Sequence, residues 1–221
     1  MRINKFVASA TGLSRRVADD AIVNGRVKIN TWIARVVDQV SIDDIVTLDG
    51  IDIKLPDTTT TIMLNKPVGY VCSRSGQGSL TIYELLPKNY YHLKTVGRLD
   101  KDSSGLLILT NDGDLANNLT HPRYAKTKIY EVSLDKVLQP LHQQMITNYG
   151  IQLDDGLSKL MLDKLDTQGM NWQVSMHEGR NRQIRRTFAS LGYNVNRLHR
   201  TSFGNYQIDS LKTAEYKVLD T

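Results

Sequence analysis

Apolar positions recur at helical spacing from the start of the chain. Ile3, Phe6, Val7 and Ala10 share one face, and Gly12 suits the helix end. Ser14 is an N-cap for a second helix, with Val17, Ala18, Ala21 and Ile22 as its apolar face and Asn24-Gly25 as its stop. The period then changes to two. Val27 and Ile29 point one way, Arg26 and Lys28 the other. Two further short strands, 45–48 and 51–55, flank Asp49-Gly50, a two-residue hairpin signal. This first stretch, residues 1–55, reads as a small α/β unit.

Pro56-Asp57-Thr58-Thr59-Thr60-Thr61 has no apolar period and opens with proline, so 56–61 reads as a linker to a second domain, 62–221. There the pattern mixes short strands and helices. Strands are expected over 61–65, 105–110, 128–134 and 172–176. In the third of these, Tyr130, Val132 and Leu134 oppose Ile129, Glu131 and Ser133. Asp114 is expected to cap a short helix ending near Pro122, and Asn181 a helix from Arg182 to Leu191 closed by Gly192. The interleaving predicts an α+β fold with a largely antiparallel sheet flanked by helices.

Composition narrows the class. In 221 residues, 40% are hydrophobic and 23% charged, as in globular chains. No apolar run reaches the roughly 18 residues of a membrane span, and no secretory signal opens the chain. The lone Cys72 leaves no internal disulfide and no multi-cysteine metal site, so the expected compartment is the cytoplasm. The net charge of +5 is unevenly placed. Residues 1–35 hold seven basic and two acidic side chains, whereas 36–55 hold one and five. Residues 180–200 hold six arginines and no acid. Arg15 and Arg16 open the second helix, and Arg26 and Lys28 line the next strand. Helix N-termini beside basic side chains suit phosphate, though a solvated charged face has the same composition. On a continuous helix Arg182, Arg185 and Arg186 fall in one sector opposite Ile184, Phe188 and Leu191. Lacking an acid in their own segment, they call for phosphate or a distant carboxylate.

Asp100 stands in a polar loop bounded by Gly97 and Gly105, just before the apolar run 105–110. A carboxylate there can be a nucleophile, a general base, a metal ligand or a turn cap. The five histidines are scattered, and no phosphate-binding glycine loop or nucleophile elbow occurs.

Gly97-Arg98-Leu99-Asp100, with Ser103-Ser104-Gly105-Leu106-Leu107-Ile108-Leu109-Thr110-Asn111-Asp112-Gly113 after it, resembles the signature of bacterial ribosomal-RNA pseudouridine synthases. The branch is the one typified by ribosomal small subunit pseudouridine synthase A. Leu64-Asn65-Lys66-Pro67-Val68-Gly69-Tyr70, Lys128-Ile129-Tyr130-Glu131-Val132 and Glu178-Gly179-Arg180-Asn181-Arg182-Gln183-Ile184-Arg185-Arg186 resemble three further motifs, in the family's order. Residues 1–55 resemble an S-four-type RNA-binding domain, with Asn30-Thr31 where Asn-Gly is usual. Ser104 stands where threonine is frequent.

The resemblance implies isomerisation of a uridine to pseudouridine in ribosomal RNA, in large-subunit (23S) rather than small-subunit (16S) RNA. No cofactor or metal is required. Asp100 would be the nucleophile, Tyr130 would stack on the flipped uracil, and Arg185 would pair with Asp100. Arg15, Arg16, Arg26, Lys28, Lys66, Arg98, Arg182 and Arg186 would meet RNA. The partner would be ribosomal RNA or a ribosomal-subunit assembly intermediate, bound by a monomer away from any membrane. The alternative is an inactive RNA-binding or assembly factor of the same fold.

Overall fold

The computed structural model describes residues 1–56 and 58–219; Asp57 of the expected linker lies outside them. The first elements follow local chemistry. Helix α1 (Ile3–Thr11) buries Ile3 and Val7 and ends on Gly12 at φ 77°, a left-handed conformation. Helix α2 (Arg15–Val23) starts where the Ser14 side chain accepts from the Val17 N–H. Both helices pack on a four-stranded sheet ordered β2-β1-β3-β4, with β1 Val27–Ile29, β2 Trp32–Ile33, β3 Val46–Leu48 and β4 Ile51–Ile53. Asp49 and Gly50 both have positive φ, at 53° and 79°, as the tight turn between β3 and β4 requires. The turn at Asn30 closes without glycine. Asn30 takes φ 52°, and its side chain is pinned by the Ile45 N–H and by Asp44. Ile3, Val7, Ala18, Ile22, Val27, Ile29 and Val46 form a core of their own.

Nine of the eleven remaining strands build one sheet. They are β5 Thr61–Lys66, β6 Lys94–Val96, β7 Ser104–Thr110, β8 Lys128–Leu134, β11 Met161–Lys164, β12 Asn171–Met176, β13 Val195–Phe203, β14 Tyr206–Gln207 and β15 Tyr216–Leu219. The hairpin β9 (Ile151–Leu153) and β10 (Gly156–Ser158) stands apart from the sheet. The main path runs β11-β12-β8-β13-β7-β5-β15, with β14 on β13 and β6 on β7. Every pairing is antiparallel except β13 with β7, where His199 and Arg200 lie beside Ser104 and Gly105. Helices α3 (Gly113–Thr120), α4 (Pro140–Gln144) and α5 (Gln183–Ala189) complete the fold, which is α+β with a mostly antiparallel sheet. The middle of strand β7, residues 106–109, is apolar because the strand is interior to the sheet and buried from Gly105 onward.

Three expectations shift. Thr61 is not linker but the first residue of β5, buried and bonded to the Thr110 hydroxyl at 2.9 Å. The threonines before it are held too: Asn111 accepts from the Thr60 N–H and donates to the Thr58 carbonyl. The cap of α3 is Asp112, two residues before Asp114, because its carboxylate accepts from the N–H groups of Asp114 and Leu115. Arg182 lies outside α5 as its N-cap, at φ 46°, so it does not share a helical face with Arg185 and Arg186. The first unit also touches the large sheet and its flank. Lys5 pairs with Asp114 at 2.6 Å, and the Lys94 ammonium donates to the Leu13 carbonyl at 2.7 Å.

Candidate active site

The Asp100 loop joins β6 to β7 and is fastened from beneath. Cys72 donates to the Leu99 carbonyl, and the Gly69 N–H donates to the Lys101 carbonyl at 2.7 Å. The main fastening is Lys66, at the end of β5. Its side chain is fully buried, and its ammonium donates to the carbonyls of Pro67 (3.0 Å), Asp100 (3.0 Å) and Ser103 (2.7 Å). Burial pushes its pKa below the ordinary lysine value, against the pull of Asp100 and Asp102. Lys66, expected to meet RNA, is instead buried and spends its ammonium on three main-chain carbonyls. It braces the backbone that carries Asp100.

Asp100 opens onto a cleft of about 890 Å³. Tyr130 lines the same cleft from β8, buried on the face shared with Val132 and Leu134. Arg98, exposed, stands on the lip beside Asp100. The lining holds six lysines and arginines against three carboxylates, so the cleft is net basic. That suits a polyanion whose reacting part enters and whose backbone stays at the rim.

The arginine segment is arranged differently from the helical projection. Arg185 does not pair with Asp100. It donates to the carbonyls of Val195 (2.7 Å) and Asp102 (2.8 Å), and its Nε lies 3.3 Å from the Asp102 carboxylate. From inside α5 the side chain reaches the backbone around residue 102, and burial pushes its pKa down. Arg182, freed from the helix by its left-handed backbone, lines the cleft instead. Its guanidinium forks onto the Asp102 carboxylate at 2.9 and 2.8 Å and lies 3.7 Å from an Asp100 oxygen. Hydrogen bonding from Arg182 holds the Asp102 carboxyl below the usual carboxylate range.

Arg186 forks onto Asp155, at 3.1 and 2.6 Å, and Arg180 shares that carboxylate at 2.9 Å. Asp155 lies in the turn between β9 and β10, so this cluster ties the hairpin to the arginine segment. The acids absent from residues 180–200 are thus supplied from elsewhere in the chain. Asp102 and Asp155 were missed by sequence reasoning because neither is periodic with, or near to, the arginines it serves. Arg200, buried on β13 and lining the cleft, was missed as well.

Arg15, Arg16, Arg26 and Lys28 lie in the first unit, outside the cleft lining. Arg15, Arg16 and Lys28 are exposed; Arg26 spends its charge on Asp49 at 2.6 Å.

A buried tyrosine and a braced, arginine-flanked aspartate share one basic cleft on a mixed sheet. Comparison with known proteins places that arrangement. The sequence model of the RNA pseudouridylate synthase family matches residues 60–190, and the chain belongs to this family of isomerases. Among curated relatives, an uncharacterized RNA pseudouridine synthase of Aquifex aeolicus is 37% identical, covering 100% of this chain and 90% of its own. Ribosomal large subunit pseudouridine synthase B of Bacillus subtilis is 32% identical, covering 99% and 91%. Ribosomal small subunit pseudouridine synthase A of Pasteurella multocida is 33% identical, covering 99% and 96%. A crystal structure of a pseudouridylate synthase superposes with a TM-score of 0.70 at 32% identity, covering 100% of this chain and 96% of that one.

Proposed function

We propose that the protein isomerises a specific uridine of large-subunit ribosomal RNA, free or in an assembling subunit, with Asp100 as nucleophile. The observation that carries this reading is the shared cleft: Asp100 on a loop braced by Lys66, facing the volume that Tyr130 lines. A uridine inside RNA structure has to be flipped out to reach such a cleft. Arg98 at the lip is positioned to fill the vacated stack or hold the phosphate, and Tyr130 to stack on the base. The Asp100 carboxylate bonds to C1′ as the C1′–N1 bond breaks with its electron pair leaving on uracil. The ring turns, and C5 bonds to C1′ as the bond from C1′ to Asp100 breaks and frees the carboxylate. C5 loses its proton and N1 takes one up, so the product is an isomer and no redox partner enters.

Arg182, 3.7 Å from an Asp100 oxygen, orients that carboxylate, while Asp102 keeps Arg182 from collapsing onto it. The first unit, of S-four type, grips RNA outside the cleft through Arg15, Arg16 and Lys28. One aspartate per cleft is sufficient, so a cytoplasmic monomer does the work. Two similarly identical relatives carry large-subunit and small-subunit names. The large-subunit assignment rests on the family's wider use of that RNA.

The test is pseudouridine mapping on large- and small-subunit transcripts incubated with wild type and Asp100→Asn. Wild type is expected to modify one large-subunit site. The variant is expected to bind with unchanged affinity and leave no pseudouridine. Turnover by the variant removes Asp100 from the chemistry, and a small-subunit product overturns the subunit assignment.

A further inference from the structure

Arg200 is among the largest fully buried side chains of the protein, and its charge has no carboxylate partner among the described residues. Only one of its five N–H groups has an identified acceptor: Nε donates to the Leu106 carbonyl at 2.7 Å. Nη2 is buried with no partner among the described residues. An unpaired buried guanidinium is costly, so its retention calls for an acceptor that arrives with a ligand.

Its setting says which part of the ligand. Arg200 lies directly across from Tyr130 in the antiparallel pair of β13 and β8, so the two side chains leave the sheet on one face, about 5 Å apart at Cβ. Both line the cleft. The guanidinium also rests over the Phe203 ring, 5.0 Å from its centroid, so its fork is fixed before any ligand enters. The backbone phosphates of an inserted nucleotide stay at the rim, where Arg98 is exposed. The base goes deepest, onto the buried Tyr130.

We infer that Arg200 reads the flipped uracil, donating from its free N–H groups to the carbonyl oxygens O2 or O4. This rests on the proposed function and assigns the base-recognising residue within it. A donor-only side chain donates to either of uracil's two carbonyls, while cytosine offers an amino group in place of O4. The contact also strengthens during reaction. When the C1′–N1 bond breaks, the electron pair passes to the ring and is shared by N1, O2 and O4, so a fixed cation there lowers the barrier.

The experiment compares wild type, Arg200→Gln and Arg200→Lys on a short RNA bearing the mapped uridine, or 2-thiouridine or 4-thiouridine in its place. Sulfur is the poorer acceptor. Wild type is expected to prefer uridine over one of the two thio substrates by about tenfold. In Arg200→Gln that preference collapses, and kcat drops about a hundredfold with KM nearly unchanged. Arg200→Lys, still a cation with donors, keeps part of both. Identical thio preferences in wild type and Arg200→Gln overturn the inference, because a merely structural arginine would slow all three substrates alike.

A measurement on unaltered protein guards against misfolding of the variants. In wild type labelled at arginine side chains, uridine monophosphate is expected to shift the Arg200 guanidinium signal. An Arg200 signal that uridine monophosphate leaves unmoved also overturns it. Wild type that forms no pseudouridine fails the proposed function, and the inference with it. Wild-type turnover with unchanged thio preferences fails the inference alone.

Discussion

Replacing Lys66 with methionine separates a brace from an RNA contact. The ammonium makes three bonds to main-chain oxygens, 2.7 to 3.0 Å long, in a fully buried site. Bonds from a charged donor are worth roughly 1.5–3 kcal/mol each, but burying the ammonium costs several kcal/mol in return. Methionine has similar length and escapes that cost, yet leaves three carbonyls without their donor, at roughly 1 kcal/mol or more apiece. The balance is a loss of about 3 kcal/mol, or a Tm about 6–12 °C lower for a chain of this size. Two of the three carbonyls, Asp100 and Ser103, belong to the loop that carries the proposed nucleophile. Displacing Asp100 by about 1 Å is expected to lower kcat about a hundredfold. RNA affinity and its salt dependence should hardly change, because the ammonium is buried beneath the loop and spent on carbonyls. The assays are thermal melting, single-turnover pseudouridine formation, and filter binding across a salt series. A variant that melts like wild type and binds RNA with a shallower salt slope would refute the brace and restore Lys66 as a phosphate contact.

Other outcomes follow from the same geometry. Arg15→Ala combined with Arg16→Ala should reduce the slope of log affinity against log salt by about 1.5, since each lost phosphate contact removes 0.7–0.9; an unchanged slope in filter binding means that these side chains are only solvated. In Gly105→Ala the new Cβ would sit 2.3 Å from the Arg200 carbonyl oxygen, at φ +106°. Strain and overpacking should cost about 4 kcal/mol, read in urea melts, and a variant as stable as wild type contradicts the close approach of β7 and β13. The carboxyl of Asp102 has a depressed pKa when folded, so its contribution to stability is complete above its unfolded value near 4 and is lost as pH falls through the folded value. The urea midpoint of Asp102→Asn should therefore fall short of wild type at pH 7 and converge with it in strong acid, and a pH-independent gap excludes the ion pair as its origin.

How much of this was legible depended on distance along the chain. Helices α1 and α2 and the Asp49-Gly50 hairpin were readable because caps, turns and apolar faces all lie within a few residues. Strand β7 was readable as an apolar run. Strand β13, the longest, escaped because Arg200 occupies an inward position that pattern reasoning reserves for apolar residues. The burial of Lys66 was illegible for a like reason: a buried lysine and a surface one look alike in sequence. The three carbonyls that satisfy it exist only once β5 lies against the Asp100 loop. The Asp100 and Tyr130 positions were visible through motif order, whereas the arginine that approaches Asp100 was misassigned. A single left-handed residue at Arg182 starts the helix one position later than its caps suggested.

That displacement alters what the charge distribution means. The six arginines of residues 180–200 look like a phosphate-binding surface, but Arg180, Arg182, Arg185 and Arg186 are engaged by Asp102, Asp155 and Glu178. Those ion pairs are architectural. They lock the β9–β10 hairpin and the Asp100 loop onto α5, fixing two walls of one cleft. Arg197 pairs with Glu131, which leaves Arg200 as the segment's cation without an acid among the described residues. Under the proposed function, attraction for RNA then falls to the lip of the cleft at Arg98 and to Arg15, Arg16 and Lys28 on the first unit. The unit bearing those three is held to the second by Lys5 on Asp114 and Lys94 on Leu13. A substrate that satisfies both zones must present its phosphates at their separation. Site selection can therefore come from RNA shape, while the cleft itself needs to recognise only a uracil.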